Sequence, residues 1–352
     1  MRILALNGGS SSFKAAVFEG DDLHEVWTAH GGVDIAGLLN GAPNVDAAGH
    51  RIVHGGRSFH QSARITPEVK AEIARLASFA PEHNLREVEA IDTAERLFGS
   101  AVPQVAVFDT AFHATMPAEA YVYPGPYGWI AEGIRRYGFH GISHQYVSRR
   151  AAEVLGKPLE SLRMVTCHLG GGCSLAAVLG GRSVDTTMGF TPLEGLMMGT
   201  RSGSVDPGVL IHLVRHCGYS AEDLDRILNR ESGLKGVSGI SGDMREVESG
   251  MRAGNERARL AFDVFVHRLC GGIGSMAAST GGLDALVFTG GIGENSMAVR
   301  SAACARLGWL SVAVDEARNA GDGDREIGDR ALVVKTQEER EIAREVAGVL
   351  QM

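Results

Sequence analysis

Single polar residues stand at or near the ends of apolar runs along this chain, among them Arg51, Asp109, Arg201, Asp206, Asp243 and Arg245. In an open α/β sheet the carboxyl ends of strands are where ligands bind. Two arginines able to grip a planar anion bidentately, together with carboxylates able to hold Mg2+, make a set suited to phosphoryl transfer. Taken one at a time, each has an ordinary reading: a lone strand-end Asp is a helix cap, and a lone Arg is half of a surface ion pair. Three glycine turns sharpen the pattern, "NGGSSS" (7–12), "LGGGCS" (169–174) and "TGGIGENS" (289–296), each following an apolar run. The first carries an Asn, three serines and, just beyond, Lys14. Strand, glycine turn and strand read as a β-hairpin. Glycines also let a backbone approach a ligand closely, with hydroxyl and N–H groups turned toward an anion, which reads as a phosphate loop. The stretch fits neither GxxxxGK[ST] nor GxGxxG, so both readings stay open.

The elements that must position these residues alternate between strands and helices. "RIVHGG" and "QVAVFDTAF" are predicted as buried strands ending in polar residues. Thr66 and Pro67 mark the cap and first turn of a helix whose apolar face is Ile73, Leu76 and Ala77. "MVTCHLGGGCSLAAVLGG" opens a second set of strands, and within it lies an echo. "GGSSSFKAAVF" (8–18) and "GGGCSLAAVL" (170–179) share glycines, a serine and an Ala-Ala-aliphatic strand. Chance similarity between Gly/Ala-rich strands explains that, and so does a duplicated α/β domain with each half presenting a hairpin to a shared cleft. A long helix is expected over 254–279, with Leu260, Val264, His267 and Ile273 facing the core. A terminal helix is expected near the end, with Ile342, Val346, Val349 and Leu350 on its apolar face.

Bulk properties exclude several classes. The 352 residues are 44% hydrophobic and 22% charged, enough for one large core or two ordinary ones. The 47 glycines follow no period, so the chain is not fibrous. A net charge of −8 without a basic run argues against nucleic acid. No apolar run reaches the roughly 18 residues a membrane helix needs. The start "MRILALNGG" turns polar too early for a signal peptide, and the five cysteines show no CxxC pair. A reduced, cytoplasmic protein is the expectation.

Six blocks then make a specific resemblance. "NGGSSSFK" (7–14), "HRIVHGG" (50–56), "FDTAFHATMP" (108–117), "RRYGFHGISH" (135–144), "MGFTPLEGLMMGTRSGSVDPG" (188–208) and "FTGGIGENS" (288–296) resemble, in order, the acetate kinase family. The resemblance implies an α/β fold of two actin-like (ribonuclease H-like) domains with a nucleotide cleft between them. The first is expected over 1–146 with a returning helix at 339–352, and the second, which carries nucleotide binding and dimerisation, over 147–338. It also implies reversible Mg2+-dependent transfer of the ATP γ-phosphoryl group to a short carboxylate, with Mn2+ as a possible substitute, and usually a homodimer.

Roles follow position by position from that resemblance. Asn7, Ser10, Ser12 and Lys14 match the first phosphate motif, which gives the hairpin tip its phosphate reading. Arg51 and Arg201 match the arginines that hold the acyl carboxylate and the transferring group. Asp109 and Glu338 match carboxylates tied to the metal and its waters, with Asn7 beside them. His140 matches the histidine that hydrogen-bonds the phosphoryl in flight, and His83 and His168 match further active-site histidines. Val53, Phe139 and Pro192 match an acyl pocket. Gly170, Gly171 and Gly172 match a second phosphate turn, Asp243 and Arg245 a pair beside the nucleotide, and Gly290, Gly291, Ile292, Gly293 and Asn295 the floor under the adenosine. For "HGISH" a plain helix start with a structural His144 remains an equal reading.

The chemistry fits these residue types. An acetate-like acceptor has a pKa near that of Glu, about 4.3, and is already a nucleophile at neutral pH. The work is therefore electrostatic, which assigns Asp109 to positioning rather than proton abstraction. Three departures from the family stand out. The chain is short, with the deficit expected between about residues 20 and 50. Gly171 stands where an Asn donor is common. Glu82 stands where a Leu usually lines the acyl pocket, and is expected to turn away into solvent or onto a cation such as Arg86 one helical turn on, the alternative being an inward Glu82 that selects a polar or smaller acceptor. Acetate is the expected acceptor, with propionate or butyrate, or an actin-like module that has lost catalysis, as alternatives.

Overall fold

The computed structural model describes residues 1–9, 12–32, 34–76 and 81–351, with the side chains of 81–85 outside that description. Ser10, the side chains of Glu82 and His83, and Ala77 therefore lie outside the described residues.

Twelve strands among the described residues form two six-stranded sheets. The first holds β1 (Arg2–Gly8), β2 (Phe13–Glu19), β3 (His24–Gly31), β4 (Ala47–Ile52), β5 (Ala63–Arg64) and β6 (Gln104–Phe108), in the order β3-β2-β1-β4-β6-β5. The second holds β7 (Arg163–Leu169), β8 (Cys173–Leu179), β9 (Arg182–Thr186), β10 (Ala285–Thr289), β11 (Arg325–Gly328) and β12 (Ala331–Val333), in the order β9-β8-β7-β10-β12-β11. Each begins with an antiparallel meander, continues with parallel neighbours and ends on an antiparallel edge strand. The two orders are the same. The echoing segments are the hairpins β1–β2 and β7–β8 at equivalent places, so duplication is the reading the topology supports. This is the expected pair of actin-like domains.

The central strands β1, β6, β7 and β10 are buried on both faces, as continuous apolar runs such as "ILAL" require, whereas the edge strand β3 is mostly exposed. On one face of the first sheet Ile3, Ala5, Val105 and Val107 meet Ile342, Ala343 and Val346 of the terminal helix Glu338–Leu350. On the other face Leu4, Leu6 and Val17 meet Ala90 and Ala94 of the helix Pro81–Phe98. Thr66 caps the helix Pro67–Arg75 as expected, accepting from Val69 N–H at 3.3 Å.

Two expectations need refinement. Between β3 and β4 the described residues build only the one-turn helix Ile35–Leu38, whereas between β9 and β10 the chain builds a series of helices ending in Glu256–Ser279. In that long helix the buried stripe is Phe262, Phe265, Leu269 and Ile273, lined by small residues such as Ala258 and Ala261. Leu260 and His267 are exposed and Val264 is half-buried, so the predicted face is correct only at Ile273. The helix carries apolar residues on more than one side, and its period alone does not choose the stripe.

Candidate active site

The carboxyl ends of β1, β4 and β6 bring Asn7, Arg51 and Asp109 into one network. Arg51 donates from Nε and Nη2 to Asp109 Oδ2 at 3.0 and 2.6 Å, and from Nη1 to Asn7 Oδ1 at 3.0 Å. Asn7 Nδ2 donates to Glu338 Oε2 at 2.7 Å and Glu339 Oε1 at 2.9 Å, tying the terminal helix to the hairpin. Burial alone would lower the Arg51 pKa, but the charges of Asp109 and Glu338 outweigh it, and the guanidinium stays protonated. Burial pushes the Asp109 carboxyl up, with Arg51 opposing. Burial would likewise raise Glu338, but Arg51, His168, Asn7 and Lys14 hold it lower.

One oxygen in this network stands apart. Asp109 Oδ1 is buried and, among the described residues, accepts no well-formed hydrogen bond, the His140 backbone N–H being the one donor that also acts on this carboxylate. An unpaired carboxylate oxygen beside a second carboxylate and an amide suits a hard cation that keeps several of its waters. Among the described residues no three His, Cys, Asp or Glu side chains form a closed cage. The donor set therefore fits Mg2+ held mainly through water and substrate rather than a structural metal.

Facing this network, β7 and the helix Gly141–Leu155 supply histidines, β8 supplies Ser174, and the segment between β9 and the helix Pro207–His216 supplies a second arginine. The helix begins hard against Asp109: Gly141 N–H donates to the Asp109 carbonyl at 2.9 Å, and that approach leaves no room for a side chain at Gly141. His140 immediately precedes it with φ +57°, a left-handed conformation rare for a non-glycine residue. Such a conformation persists only where its surroundings enforce it. His140 Nδ1 shares a 2.9 Å hydrogen bond with Ser174 Oγ, and its ring stacks on His168 at 4.2 Å. His144 is fully buried between Thr166 Oγ1 and Ser174 Oγ, both at 2.8 Å, so its role is to brace Ser174 behind His140. Burial, then the charges of His168, Arg51, His144 and Arg201, push the His140 pKa well below 6.5 and keep the imidazole neutral.

Arg201 completes the constellation. Its Nη1 donates to the Pro192 carbonyl at 3.0 Å, and among the described residues it has no carboxylate partner. Burial lowers its pKa, which means that its charge is uncompensated. Arg201 and His140 converge on Gly172, where an added Cβ would lie 3.3 Å from His140 Cε1 and 3.4 Å from Arg201 Nη1. A cation without an anion, a neutral histidine and a bare glycine backbone define a place for an anion. Val53 and Phe139 are buried nearby within one apolar cluster.

From Gly170 a recess of about 740 Å3 extends away from these groups. Gly170, Gly171, Asp243, Arg245, Gly291, Ile292 and Asn295 all line it, as expected, together with Gly242, Met244, Glu248 and Ser296, which the sequence did not single out. Asp243 pairs with the exposed Arg245 and caps the helix Met244–Arg252. Asp206 is a cap alone, accepting from Gly208 N–H at 2.8 Å. Gly172, Gly290 and Gly293 do not line the recess. Gly290, at φ +75°, lies against the Leu169 backbone and turns the chain from β10 into the helix Gly290–Asn295. Ser12 is half-buried and Lys14 exposed at the tip of the β1–β2 hairpin.

Two buried charged residues, Glu87 and Arg300, and the half-buried Glu294 escaped sequence reasoning. Glu87 accepts from Val53 N–H at 3.0 Å, leaves Oε2 without a partner, and is pushed up to about 8 by burial. Glu294 Oε1 accepts from Gly290 N–H at 2.9 Å and Thr336 N–H at 3.1 Å, and Arg300 donates to the Gly293 and Glu294 carbonyls. Both fix the turn under the recess. The Val53 and Thr336 N–H groups are 34 and 42 residues from their acceptors, and at that distance a sequence carries no signal.

A family model described as the acetokinase family matches residues 33–344. The chain belongs to the acetokinase family. An acetate kinase from Gloeobacter violaceus is 60% identical over 307 residues, covering 86% of this chain and 76% of its own. One from Gloeothece citriformis is 47% identical over an alignment of 398 residues that covers 98% of each. Among solved structures of the family, Porphyromonas gingivalis acetate kinase superposes with a TM-score of 0.91 at 38% identity, covering 99% of both chains. A propionate kinase from Francisella tularensis gives 0.90 at 35%, again over 99% of both.

Proposed function

We propose that this member of the family is an acetate kinase that reversibly transfers the γ-phosphoryl group of ATP to acetate, giving acetyl phosphate and ADP. An acetate oxygen attacks the γ-phosphorus while the bond to the β,γ-bridging oxygen breaks and its electron pair leaves with ADP. No proton need be removed, because acetate is ionised at neutral pH. Catalysis is then positioning and charge neutralisation. The observation that carries this reading is the uncompensated Arg201 beside neutral His140 over Gly172, across from the Arg51–Asp109 pair.

In this reading Arg51 and Arg201 hold the acceptor carboxylate and the transferring group. His140 donates a hydrogen bond to an equatorial phosphoryl oxygen without adding charge of its own. Val53, Phe139 and Pro192 enclose the acetate methyl, and His83 keeps the active-site role that the resemblance implies. Asn7, Ser10, Ser12, Lys14, His168 and the turn 170–172 face the phosphates, and the large recess takes the nucleoside. Mg2+, or Mn2+ in its place, would be held through Asp109, Asn7, Glu338 and waters, and would supply charge neutralisation between the phosphates. The division into domains at 1–146 with 339–352, and 147–338, is part of this proposal.

The assembly we propose is a homodimer formed through the second domain. The helix Pro207–His216 has no buried residue although Val209, Ile211 and Val214 are each about half exposed. Contiguous exposed aliphatic residues of this kind mark an interface. No helix among the described residues is long and apolar enough to cross a membrane, and the proposed compartment is the cytoplasm. Hydroxamate trapping of acyl phosphate from MgATP with acetate, propionate or butyrate tests the reading. Acetate is expected to give the highest kcat/KM, and trapping with none of the three would refute it.

A further inference from the structure

Outside the cleft, the helices Gly141–Leu155 and Glu338–Leu350 pack against each other, and a recess of about 250 Å3 with almost wholly polar walls lies beside them. Arg149, Arg150, Arg340 and Arg344 line it, against the carboxylates Glu153 and Asp324. Three of the arginines are paired, two of them, Arg149 and Arg150, across elements and Arg344 within its own helix. Arg149 and Arg344 donate to the fully buried Glu341 at 2.6 and 3.2 Å, and Arg150 donates to Asp324 at 2.6 Å and Glu153 at 2.9 Å. Each spends only one or two of its five N–H groups, and the rest keep their hydrogen-bonding capacity.

Arg340 is different. Among the described residues it has no ion pair and no hydrogen bond, and its Nε is buried. With Nε buried, the terminal N–H groups of Arg340, which no described residue accepts from, are the ones left to bind an oxyanion in the recess. Even with Glu341 counted, four cations face three carboxylates. The planar fork of Arg matches phosphate oxygens bidentately, and a concave polar wall concentrates that field.

We propose that this recess is a second anion site, which takes a small, multiply charged phosphate-class oxyanion, inorganic phosphate or pyrophosphate. Arg340 is its anchor, and the unspent N–H groups of Arg149, Arg150 and Arg344 complete it. None of these residues belongs to the cleft. The location gives the site a route to catalysis, because one of its helices begins next to His140 and the other begins at Glu338. An occupant bridging them ties together two elements that enter the active site.

Calorimetric titration of the intact protein with pyrophosphate, and separately with inorganic phosphate, tests this. Wild type is expected to show two sites for at least one of the probes, one in the cleft and one in the recess. Arg340→Gln should weaken the recess site by roughly tenfold or more, as loss of a charge-assisted anchor does, while Tm and acetyl phosphate formation stay as in wild type. Arg201→Ala should lose the cleft site and keep the recess site. A single site abolished by Arg201→Ala and untouched by Arg340→Gln would overturn the proposal, as would no binding in Arg201→Ala at millimolar probe. The wild-type and Arg201→Ala titrations decide the matter even if Arg340→Gln folds poorly. Failure of acetate phosphorylation would leave the recess titration unchanged, so the two claims fail separately.

Discussion

Replacing Arg201 by Ala should separate catalysis from stability. Among the described residues the side chain donates to the Pro192 carbonyl, with only a weak contact from the same nitrogen to Met198 Sδ at 3.7 Å, and it has no carboxylate partner. Losing that bond costs about 1 kcal/mol, and removing an uncompensated, partly buried cation returns a comparable amount. The net change is expected within about 1 kcal/mol, a Tm shift of at most about 2–4 °C for a chain of this size. Catalysis should respond differently, because a preorganised donor to the transferring group is worth about 3–4 kcal/mol, or 10²–10³ in kcat/KM. Arg51→Ala should do both kinds of damage, since it strips the partner from the buried Asp109 and breaks the link to Asn7. Breaking such a pair costs about 3–5 kcal/mol of stability. Hydroxamate trapping for kcat/KM and urea titration for stability measure the two. Arg201→Ala within threefold of wild type, or a large loss of stability that accounts for its lost activity, would refute the reasoning.

The pH profile should carry no histidine step near 6.5. The His140 pKa is depressed, so its neutral form persists as pH falls through 6.5 and is lost only well below it; an acid limb near 6.5 that disappears in His140→Gln would count against the assignment. Gly172→Ala should lower kcat/KM at least about tenfold by crowding His140 and Arg201, whereas Gly171→Ala, which has nothing within 4 Å, should be close to neutral. Equal effects in steady-state assays of the two variants would contradict the geometry. Glu87, pushed up to about 8, is favoured in its protonated form by the folded state. Its contribution is full below pH 4.5 and is lost as pH rises toward 8. Urea titrations should therefore show Glu87→Gln gaining on wild type across that range, on the order of 3 kcal/mol by pH 7, and a constant difference would exclude a raised pKa.

The sequence was most informative where local signals agree with the global fold. The echo between 8–18 and 170–179 marked the two hairpins that begin the two sheets, because an Ala-Ala-aliphatic strand after a glycine turn is a local pattern. Thr66 and Pro67 announced their helix for the same reason. The lining of the large recess, drawn from segments about 50 to 70 residues apart, was reachable only through the family resemblance, which named Gly170, Gly171, Asp243, Arg245, Gly291, Ile292 and Asn295. What escaped was long-range. Glu87 is held by the backbone of Val53, 34 residues away in sequence. Glu294 is fixed by Thr336, 42 residues away, and Arg300 by carbonyls and by Asn319. The left-handed His140 was invisible too, since its conformation is imposed by the contact between Gly141 and the Asp109 carbonyl. In the helix Glu256–Ser279 the small residues Ala258 and Ala261 decide which side approaches the sheet, and a count of large apolar residues misses them.

Phosphorus NMR of the wild-type protein with MgATP and acetate tests direct transfer between ATP and acetate most plainly. Acetyl phosphate and ADP should appear in equal amounts, and acetyl phosphate with MgADP should regenerate ATP. Formation of ADP with inorganic phosphate at the same rate with or without acetate, and no acyl phosphate in either direction, would contradict the account.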